Sequence, residues 1–331
     1  MSSRMSTVSD EPSQAAATFD RDLDPSARLI IDEARRRGIE VTILSPRATY
    51  FRLTLGARRV TCRESLSERT SAVALSLCDD KRTTTRLLAE AGLAVPVQIE
   101  AGNDARDEAF LRAHGAVVVK PARGEQGRGV SVDVRGVEDL RRAIAHAGTV
   151  DRVVLLEQLV RGEDVRVIVI AGQVVAAAVR RPPQITGTGQ HSILDLVVAQ
   201  SLRRAAETAG ESKIPLDDEL RRCLREAGHQ LADVLPAGVT LTVRRAANVH
   251  TGGTIHDITA MLHPGLVEAA CRAARVLDIP VVGIDMLVSD LRGDDYYIIE
   301  ANERPGFAHH EPQPVAARFV DFLFPETARA Q

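Results

Sequence analysis

The stretch Tyr296–Asn302, which reads YYIIEAN, decides how this chain folds, because it ends an apolar strand with an acid and an amide. Side chains alternate along an extended strand, so Glu300 and Asn302 point to the same face. A second apolar run, Val281–Val288, carries the acid Asp285 and is joined to the first by a polar turn. Antiparallel pairing of the two runs predicts a hairpin with Asp285 beside Glu300 and Asn302.

Three oxygen ligands on one face of a hairpin suit Mg²⁺, a hard cation that usually shares its coordination shell with nucleotide phosphates. An acid inside an apolar strand is costly to bury unless it is paired or bound to a metal. The same pattern is also compatible with edge-strand acids that face water. The hairpin alone leaves both interpretations open.

Composition places the chain among ordinary globular proteins. Its 331 residues are 44% hydrophobic and 26% charged, enough for about two domains. The net charge of −3 gives no bulk attraction for nucleic acid. No apolar stretch approaches the roughly 20 residues of a membrane span, and the four cysteines have no metal-binding spacing. We therefore expect a cytoplasmic protein with reduced thiols that binds neither nucleic acid nor a membrane.

The N-terminal part of the chain predicts two segments. Residues 1–24 are rich in Ser, Ala and Asp without an apolar run, which predicts a disordered tail rather than a signal peptide. Residues 25–78 alternate between helical and strand patterns and predict a small α/β lobe with a parallel sheet. Its arginines form either a solvated face or a contact for an anionic substrate: Arg47, Arg52, Arg58, Arg59 and Arg63.

Beyond residue 79 the pattern alternates between strands and helices, with no internal repeat. We expect strands over 116–121, 130–132, 153–157 and 239–243, the two acid-bearing runs, and a hairpin over 166–179 that turns at Gly172. We expect helices over 80–91, 138–147, 193–206, 216–235 and 263–278.

A glycine-rich loop, Gly124–Gly129, lies between two predicted strands. Its spacing, Gly-x-x-Gly-x-Gly, is followed neither by a helix nor by Lys-Ser/Thr, so it is not a dinucleotide-binding fingerprint or a P-loop. Glycines nevertheless let backbone N–H groups approach phosphate oxygens closely. Lys120 ends the preceding strand and would bring a cation beside whatever the loop covers. An ordinary turn with a snorkelling lysine explains the same pattern.

Other polar residues follow apolar strands. Glu157 could accept a hydrogen bond from an adenine amino group and Asp164 from ribose hydroxyls, although each also fits a surface acid at a turn. The polar stretch Arg244–Thr254 combines guanidinium groups with glycine amides, which suit carboxylate or phosphate recognition, or form a basic loop. No Ser-His-Asp order or nucleophile elbow is visible, so we predict no covalent protein nucleophile.

Taken in order, these segments resemble the ATP-grasp carboxylate–amine ligases over roughly residues 79–315. The matching motifs are Asp80-Lys81, Val117–Pro121, Gly124–Gly129, Leu156 to Arg166, Gly283-Ile284-Asp285 and Ile298–Gly306. Within that superfamily, Arg180–Pro183, Thr186–Ile193 and Arg244–Thr254 resemble the ligase half of cyanophycin synthetase, and Thr61–Arg82 resembles N-acetylglutaminylglutamine synthetase.

The resemblance implies an α/β fold of several α+β lobes. An N-terminal Rossmann-like pre-ATP-grasp lobe over 25–78 would precede an ATP-grasp domain over 79–325. Within that domain, residues 95–165 would cover the nucleotide and residues 166–325 would hold metal and substrate.

The resemblance also implies a role for individual residues. ATP would contact Lys81, Lys120, Gly124, Gly127, Gly129, Glu157, Asp164 and Arg166. Two Mg²⁺ ions, for which Mn²⁺ could substitute, would bind Asp285, Glu300 and Asn302. Catalysis would use Arg244, Arg245 and Arg304, and substrate would contact Asn248, Thr251, Gly252, Gly253 and Arg181. Many relatives carry an arginine two residues before the first metal acid. Gly283 holds that position here, so stabilisation of the oxyanion would pass to Arg244 or Arg245.

The implied activity is an ATP-dependent, ADP-forming ligase that joins a carboxylate to an amine through an acyl phosphate. Its substrates would be amino acids or N-acetyl amino acids, such as N-acetylglutamine and glutamine. Cyanophycin-like or glutathione-like ligation and a small-molecule kinase on the same fold are the alternatives, and a nucleotide-binding regulatory module is a further class. Members of the N-acetylglutaminylglutamine family also carry an acetyltransferase domain, so a separate acetyltransferase is an expected partner. We also expect a homo-oligomer.

Overall fold

The structure is a computed structural model, and it describes residues 23–45, 49–102, 104–125, 127–208, 210, 212–245, 247, 249–308, 310 and 312–328. The predicted tail lies outside this set except for Leu23 and Asp24, as do Arg47 and Asn248. The chain divides into two compact units. One contains the chain up to Arg69 with Gly306–Ala308 and the chain from Val315 onward, and the other contains Thr70–Pro305 and His309–Pro314. The domain limits expected from the sequence stay predictions.

The α-helices in the described residues are α1 Pro25–Arg36, α2 Ala72–Asp79, α3 Lys81–Glu90, α4 Ala105–His114, α5 Val137–Gly148, α6 Ile193–Glu207, α7 Asp218–Glu226, α8 Pro264–Val276 and α9 Val315–Leu323. The strands are β1 Glu40–Ser45, β2 Tyr50–Leu55, β3 Arg58–Arg63, β4 Leu66–Ser67, β5 Gln98–Glu100, β6 Val117–Pro121, β7 Ser131–Val134, β8 Val154–Gln158, β9 Glu163–Ile170, β10 Gln173–Arg181, β11 Gln184–Thr186, β12 Thr240–Thr242, β13 Thr254–Asp257, β14 Val281–Val288 and β15 Tyr296–Asn302.

Most predicted elements are confirmed within a few residues, but the helix predicted over 216–235 is wrong in its second half. That helix, α7, ends at Glu226. Gly228 follows with a left-handed φ of 76°, a conformation that stops a helix and that glycine adopts without strain. No helix in the described part of the chain is long and apolar enough to cross a bilayer.

The first unit contains an antiparallel sheet, so the predicted parallel sheet of a Rossmann-like lobe is wrong. β1, β2, β3 and β4 pair in sequence order, each antiparallel to the next. Parallel neighbours need a crossover of about a dozen residues or more, whereas only Gly56-Ala57 separates β2 from β3. α1 packs against α9 in this unit, and Arg37 pairs with Asp321 at 2.6 Å.

The second unit contains two larger antiparallel sheets and one small one. The strand orders are β5-β8-β6-β7, β13-β10-β9-β14-β15 and β11-β12. The glycine-rich loop joins β6 to β7 in the four-stranded sheet. The acid-bearing hairpin β14–β15 forms one side of the five-stranded sheet.

The five-stranded sheet has one apolar face and one charged face. Alternate residues of β9, β10 and β14, such as Val167, Ala177 and Ile284, are buried in a core cluster with residues of α8. Their neighbours along the same strands, Arg166 and Asp285, therefore point away from that core. The period of two along each strand thus separates the residues that fold the unit from those that can act chemically.

Two β-bulges set which side chains reach the charged face. In β15 the register shifts around Ile299, so that Asp285 pairs with Glu300 and Gly283 pairs with Asn302. In β10 it shifts around Val175. A shift of one residue transfers every following side chain to the opposite face of a strand. The composition of the charged face therefore depends on both bulges.

Candidate functional site

The predicted hairpin is confirmed, and it brings the three candidate metal ligands to one face. Asp285 lies directly opposite Glu300, and Asn302 lies opposite Gly283, two residues before Asp285. Asp285 is only 6% exposed. The Nδ2 group of Asn302 donates to the carbonyl of Gly283 at 3.3 Å, which leaves its Oδ1 atom as an acceptor.

Two arginines hold Asp285 from neighbouring strands. Arg166 of β9 donates through Nε and Nη2 to its two carboxylate oxygens, both at 2.7 Å, and Nη2 of Arg180 in β10 lies 3.0 Å from Oδ2. Burial alone would raise the pKa of Asp285, but the charges and hydrogen bonds of the two arginines outweigh it and lower the pKa to about 2. Asp285 is therefore a carboxylate at neutral pH.

Asp164 completes this cluster of two acids and two arginines. Its Oδ1 accepts from Nε of Arg180 at 3.0 Å and from Nη2 at 2.6 Å. Burial, with the nearby charge of Asp285, raises the pKa of Asp164 despite Arg180. Burial works to lower the pKa of Arg180, yet the two acids raise it, so this guanidinium stays charged. The contact between Asp164 and ribose stays a prediction.

Lys81 connects the acid-bearing hairpin to the glycine-rich loop. Its Nζ atom lies 2.9 Å from Oε1 of Glu300 and donates to the carbonyl of Gly124 at 2.7 Å. Lys81 is the first residue of α3, whose N-cap Asp80 accepts from the amide of Thr83. One ammonium group thus joins the two motifs that the sequence associates with phosphate and metal.

The glycines of the loop are needed for their backbone conformation. Gly124, Gly127 and Gly129 have φ values of 137°, 74° and 73°, which L side chains rarely adopt. A Cβ atom on Gly129 would also lie 2.9 Å from Val150 and 3.3 Å from Ala147. The chain can therefore turn tightly here, as it does in loops that bind anions through backbone amides.

Lys120 and Glu157 form a buried ion pair across β6 and β8. The Nζ and Oε1 atoms are 2.7 Å apart, and the side chains are 5% and 3% exposed. Nε2 of Gln98 donates to the same carboxylate oxygen at 2.6 Å. The sequence placed Lys120 at phosphate and Glu157 at adenine as separate contacts, whereas the structure brings them together.

The three arginines expected to serve catalysis contact acids outside the charged face. Arg244 pairs with Asp217 at 2.7 Å and with Glu219, at the start of α7. Arg245 pairs with Asp133 of β7 at 3.0 Å and with Glu226 at 2.6 Å. Arg304 lies 3.4 Å from Glu125 of the glycine-rich loop.

The described residues expected to bind substrate lie where β10 pairs with β13, since Arg181 is opposite Thr254, the residue that follows Gly253. Arg181 lies half-exposed beside Glu163 at 3.7 Å. Thr251 ends a short 3-10 turn, Gly252 has a φ of 95° and packs against Ile214, and Gly253 accepts from Arg204 at 2.8 Å. Their roles stay predictions.

The donor set of the charged face fits Mg²⁺. No group of three or more His, Cys, Asp or Glu side chains among the described residues is placed to hold a metal ion. The candidate set is instead two carboxylates completed by one amide oxygen. Such a sparse, all-oxygen set suits Mg²⁺, which fills the rest of its octahedral shell with water and phosphate oxygens.

Sequence reasoning missed Arg180 and chose its neighbour Arg181. A regular hairpin turning at Ala171-Gly172 would place Asp164 opposite Val179 and Arg181 on the face of Asp164. The bulge around Val175 shifts the pairing by one, so that Asp164 pairs with Arg180. The apolar stretch before the arginines is buried on both faces, so its sequence carries no signal for this shift.

Comparison with known proteins gives matches that extend over most of the chain. Residues 78–307 match the family model for the ATP-grasp domain. Cyanophycin synthetase of Trichormus variabilis is 33% identical over 92% of this chain and 36% of its own length. A bifunctional glutathione biosynthesis protein of Enterococcus faecalis is 29% identical over 88% of this chain and 40% of its own length. The crystal structure of a bifunctional glutathione synthetase from Pasteurella multocida matches 94% of this chain and 44% of its own, with a TM-score of 0.67 and 22% identity.

These matches confirm the resemblance to the ATP-grasp ligases and, among them, to cyanophycin synthetase. The match to the solved structure confirms the fold of the chain. This chain spans well under half of the length of these relatives. What each relative does as a whole protein therefore does not transfer directly to this chain.

Proposed function

Because this chain belongs to the ATP-grasp domain family, we propose that it is an ATP-dependent, ADP-forming carboxylate–amine ligase. The observation that carries the proposal is Lys81, whose ammonium group touches both Glu300 and the glycine-rich loop. A single cation between a carboxylate face and a glycine-rich loop suits the phosphates of a nucleotide.

The nucleotide would lie between the two larger sheets of the second unit. The amides of Gly124, Gly127 and Gly129 would donate to phosphate oxygens, and Lys81 would exchange the Gly124 carbonyl for one of them. Lys120 and Glu157 lie on the sheet that carries this loop and would contact phosphate and adenine. Loop closure would exclude water, which would otherwise hydrolyse an acyl phosphate.

Asp285, Glu300 and Asn302 would hold Mg²⁺. When bound, the metal would neutralise charge on the phosphates and orient them. The protein supplies one carboxylate that is already ionised, because Arg166 and Arg180 lower the pKa of Asp285. Two ions, and replacement by Mn²⁺, remain part of this proposal.

The proposed reaction proceeds in two steps. An oxygen of the substrate carboxylate attacks the γ-phosphorus of ATP, the bond to the β–γ bridging oxygen breaks, and ADP leaves with that electron pair. An uncharged amine then attacks the acyl carbon of the acyl phosphate. The C–O bond to phosphate breaks, a proton passes from the nitrogen to the leaving phosphate, and inorganic phosphate is released.

The substrates would be amino acids or their derivatives. Relatives named for the synthesis of cyanophycin and of glutathione support this class. N-acetylglutamine with glutamine is the first pair to test, since Thr61–Arg82 resembles the corresponding synthetase. Cyanophycin-like and glutathione-like pairs are the alternatives. A homo-oligomer and a separate acetyltransferase that supplies the acetylated substrate stay predictions.

The test is ADP release from Mg²⁺-ATP across pairs of amino acids and N-acetyl amino acids, with mass spectrometry of the products. A product lighter by one water than its two substrates, together with free phosphate, is the expected result. A phosphorylated product would indicate that the chain is a kinase rather than a ligase. Binding of ATP without turnover for every pair would favour a nucleotide-binding module.

A further inference from the structure

We infer that the exposed face of α6 is an interface on which a second copy of this chain packs, with the two α6 helices antiparallel about a twofold axis. The inference does not depend on the reaction proposed above, and it assigns a surface to the homo-oligomer expected from the sequence. It starts from an apolar stripe on α6 that a single chain leaves in contact with water.

Both faces of α6 carry apolar side chains. One face packs into the core cluster that α6 shares with α7, where Ile193 and Val197 are completely buried. On the other face Leu194, Val198 and Leu202 are 38%, 41% and 67% exposed. Single exposed apolar residues are ordinary, but a surface helix normally carries polar residues along its solvent side. An apolar stripe along that side indicates a partner.

The exposed residues of α6 form two neighbouring rows with a spacing of four residues. The apolar stripe is the first row, and the second consists of Asp195, Ala199 and Arg203, all exposed. Rows with this spacing are the ridges through which two helices interdigitate, at a crossing angle of about −50°. The small side chain of Ala199, in the middle of its row, lets a second helix approach closely.

The order of the charges selects a second copy of the same helix as the partner. Asp195 and Arg203 lie equally far from Ala199, on opposite sides of it. About a twofold axis at the centre of both rows, each residue faces the residue equally far on the other side in the second helix. Asp195 therefore faces Arg203 of the second copy, twice in each dimer, and Leu194 faces Leu202. A parallel arrangement in register would instead bring like charges together.

The contacts of the two charges within one chain are local to the helix. Arg203 donates from Nη2 to Gln200 at 2.7 Å. Asp195 accepts from Oγ of Ser192 at 2.6 Å, in the capping box at the start of α6. Both charged side chains stay at the surface, within reach of a second helix.

The size of the stripe sets the expected affinity. Stable dimers bury about 800 Å² on each partner, more than one face of a four-turn helix offers. We therefore expect a weak dimer, with a dissociation constant on the order of 10 µM.

The test is sedimentation velocity of the wild-type chain from about 1 to 300 µM, which should show a monomer–dimer equilibrium. Leu202→Glu should weaken the dimer by about 10-fold or more, because it places a charge in the apolar contact. The matched control is Val73→Glu on α2, since Val73 is 69% exposed but lies outside the stripe. Val73→Glu should leave the dissociation constant unchanged.

Reversal of the charges tests the antiparallel pairing. Arg203→Glu places two acids opposite each other and should weaken the dimer by about 10-fold. Asp195→Arg/Arg203→Glu restores opposite charges and should bring the dissociation constant back to within about 3-fold of the wild type. A role of Asp195 only in capping α6 would not give this recovery, because the double variant also lacks its carboxylate. These variants keep the stripe intact, so they test the interface even if Leu202→Glu does not fold.

Cysteine cross-linking tests where the axis passes. A residue at the axis meets its own copy, so Val198→Cys should form a disulfide-linked dimer on oxidation, above the background of the wild-type chain. Leu202→Cys faces Leu194 and should not. A wild-type chain that stays monomeric throughout the concentration range would refute the inference, as would a Leu202→Glu variant that dimerises like the wild type. A double charge variant as weak as Arg203→Glu, or equal cross-linking of both cysteine variants, would refute the antiparallel arrangement.

Discussion

The buried ion pair between Lys120 and Glu157 gives the sharpest test of how this chain is stabilised. The charged atoms are 2.7 Å apart, and almost none of either side chain is exposed to water. Removing one partner of such a pair leaves an uncompensated buried charge and costs about 3–5 kcal/mol. Lys120→Met should lose about 3 kcal/mol of stability, the lower end of that range, because Gln98 still donates to Glu157 at 2.6 Å.

The double variant Lys120→Met/Glu157→Met separates charge from packing. It replaces both ions by apolar side chains of similar volume, which is often neutral or stabilising. We therefore expect it to be more stable than Lys120→Met by about 2 kcal/mol or more. If the two single losses simply added in the double variant, the two charges would not be coupled.

Amide hydrogen exchange in β6 and β8 is the suitable assay, because a chain of two compact units need not unfold in one step. The free energy of opening of these amides measures how much stability is lost at the position of the ion pair. Arg86→Met is the matched control, since Arg86 pairs with Glu90 at 2.8 Å but both side chains are exposed. Loss of that surface pair should change the free energy of opening by less than about 0.5 kcal/mol. A loss below about 1 kcal/mol in Lys120→Met would refute the reasoning.

Three further predictions concern the sheet face and the loop. Asn302→Ala should lower Mg²⁺-dependent ADP release by more than about 100-fold with an unchanged circular dichroism spectrum, and normal release would remove it from the metal site. Asp285 has a folded pKa of about 2 against 3.8, so it contributes about 2 kcal/mol of stability above pH 4 that is lost as the pH falls from 4 to 2. Asp285→Asn should flatten that part of the acid-unfolding curve, and an unchanged slope would contradict the clamp by Arg166 and Arg180. Gly129→Ala should lower stability by about 1–3 kcal/mol, and more than Gly127→Ala, whose Cβ meets nothing within 4 Å; equal melting temperatures would contradict the close contact with Val150.

Much of the second unit could be predicted from the sequence, because local patterns of apolar and polar residues predict its strands. The hairpin β14–β15 follows from two apolar runs and a polar turn. The position of Glu300 and Asn302 on one face of β15 follows from the period of two along a strand. The spacing of the glycines located the glycine-rich loop, although an ordinary turn would have had the same spacing. In the first unit the same kind of pattern led to the wrong prediction of a parallel sheet. Helix and strand patterns do not indicate whether neighbouring strands are parallel or antiparallel.

Ion pairs between distant residues could not be predicted. Lys120 was expected at phosphate, but its partner Glu157 comes from a strand more than thirty residues later. Arg244 and Arg245 have the residue type that catalysis needs, and only their contacts with α7 and β7 show that they are engaged elsewhere. A charged residue carries no local signal of its partner, since the partner is chosen by how sheets and helices pack.

The sequence by itself determined the family, the order of the elements and the acids of the charged face, because these are written in short motifs and in the alternation of apolar and polar residues. The tertiary structure alone decided which arginines meet those acids. Two inserted residues, Val175 and Ile299, each shift a strand register by one position. Such a shift exchanges the two faces of a strand without altering the pattern of residue types, so only the paired strands reveal that Arg180 rather than Arg181 lies beside Asp164 and Asp285.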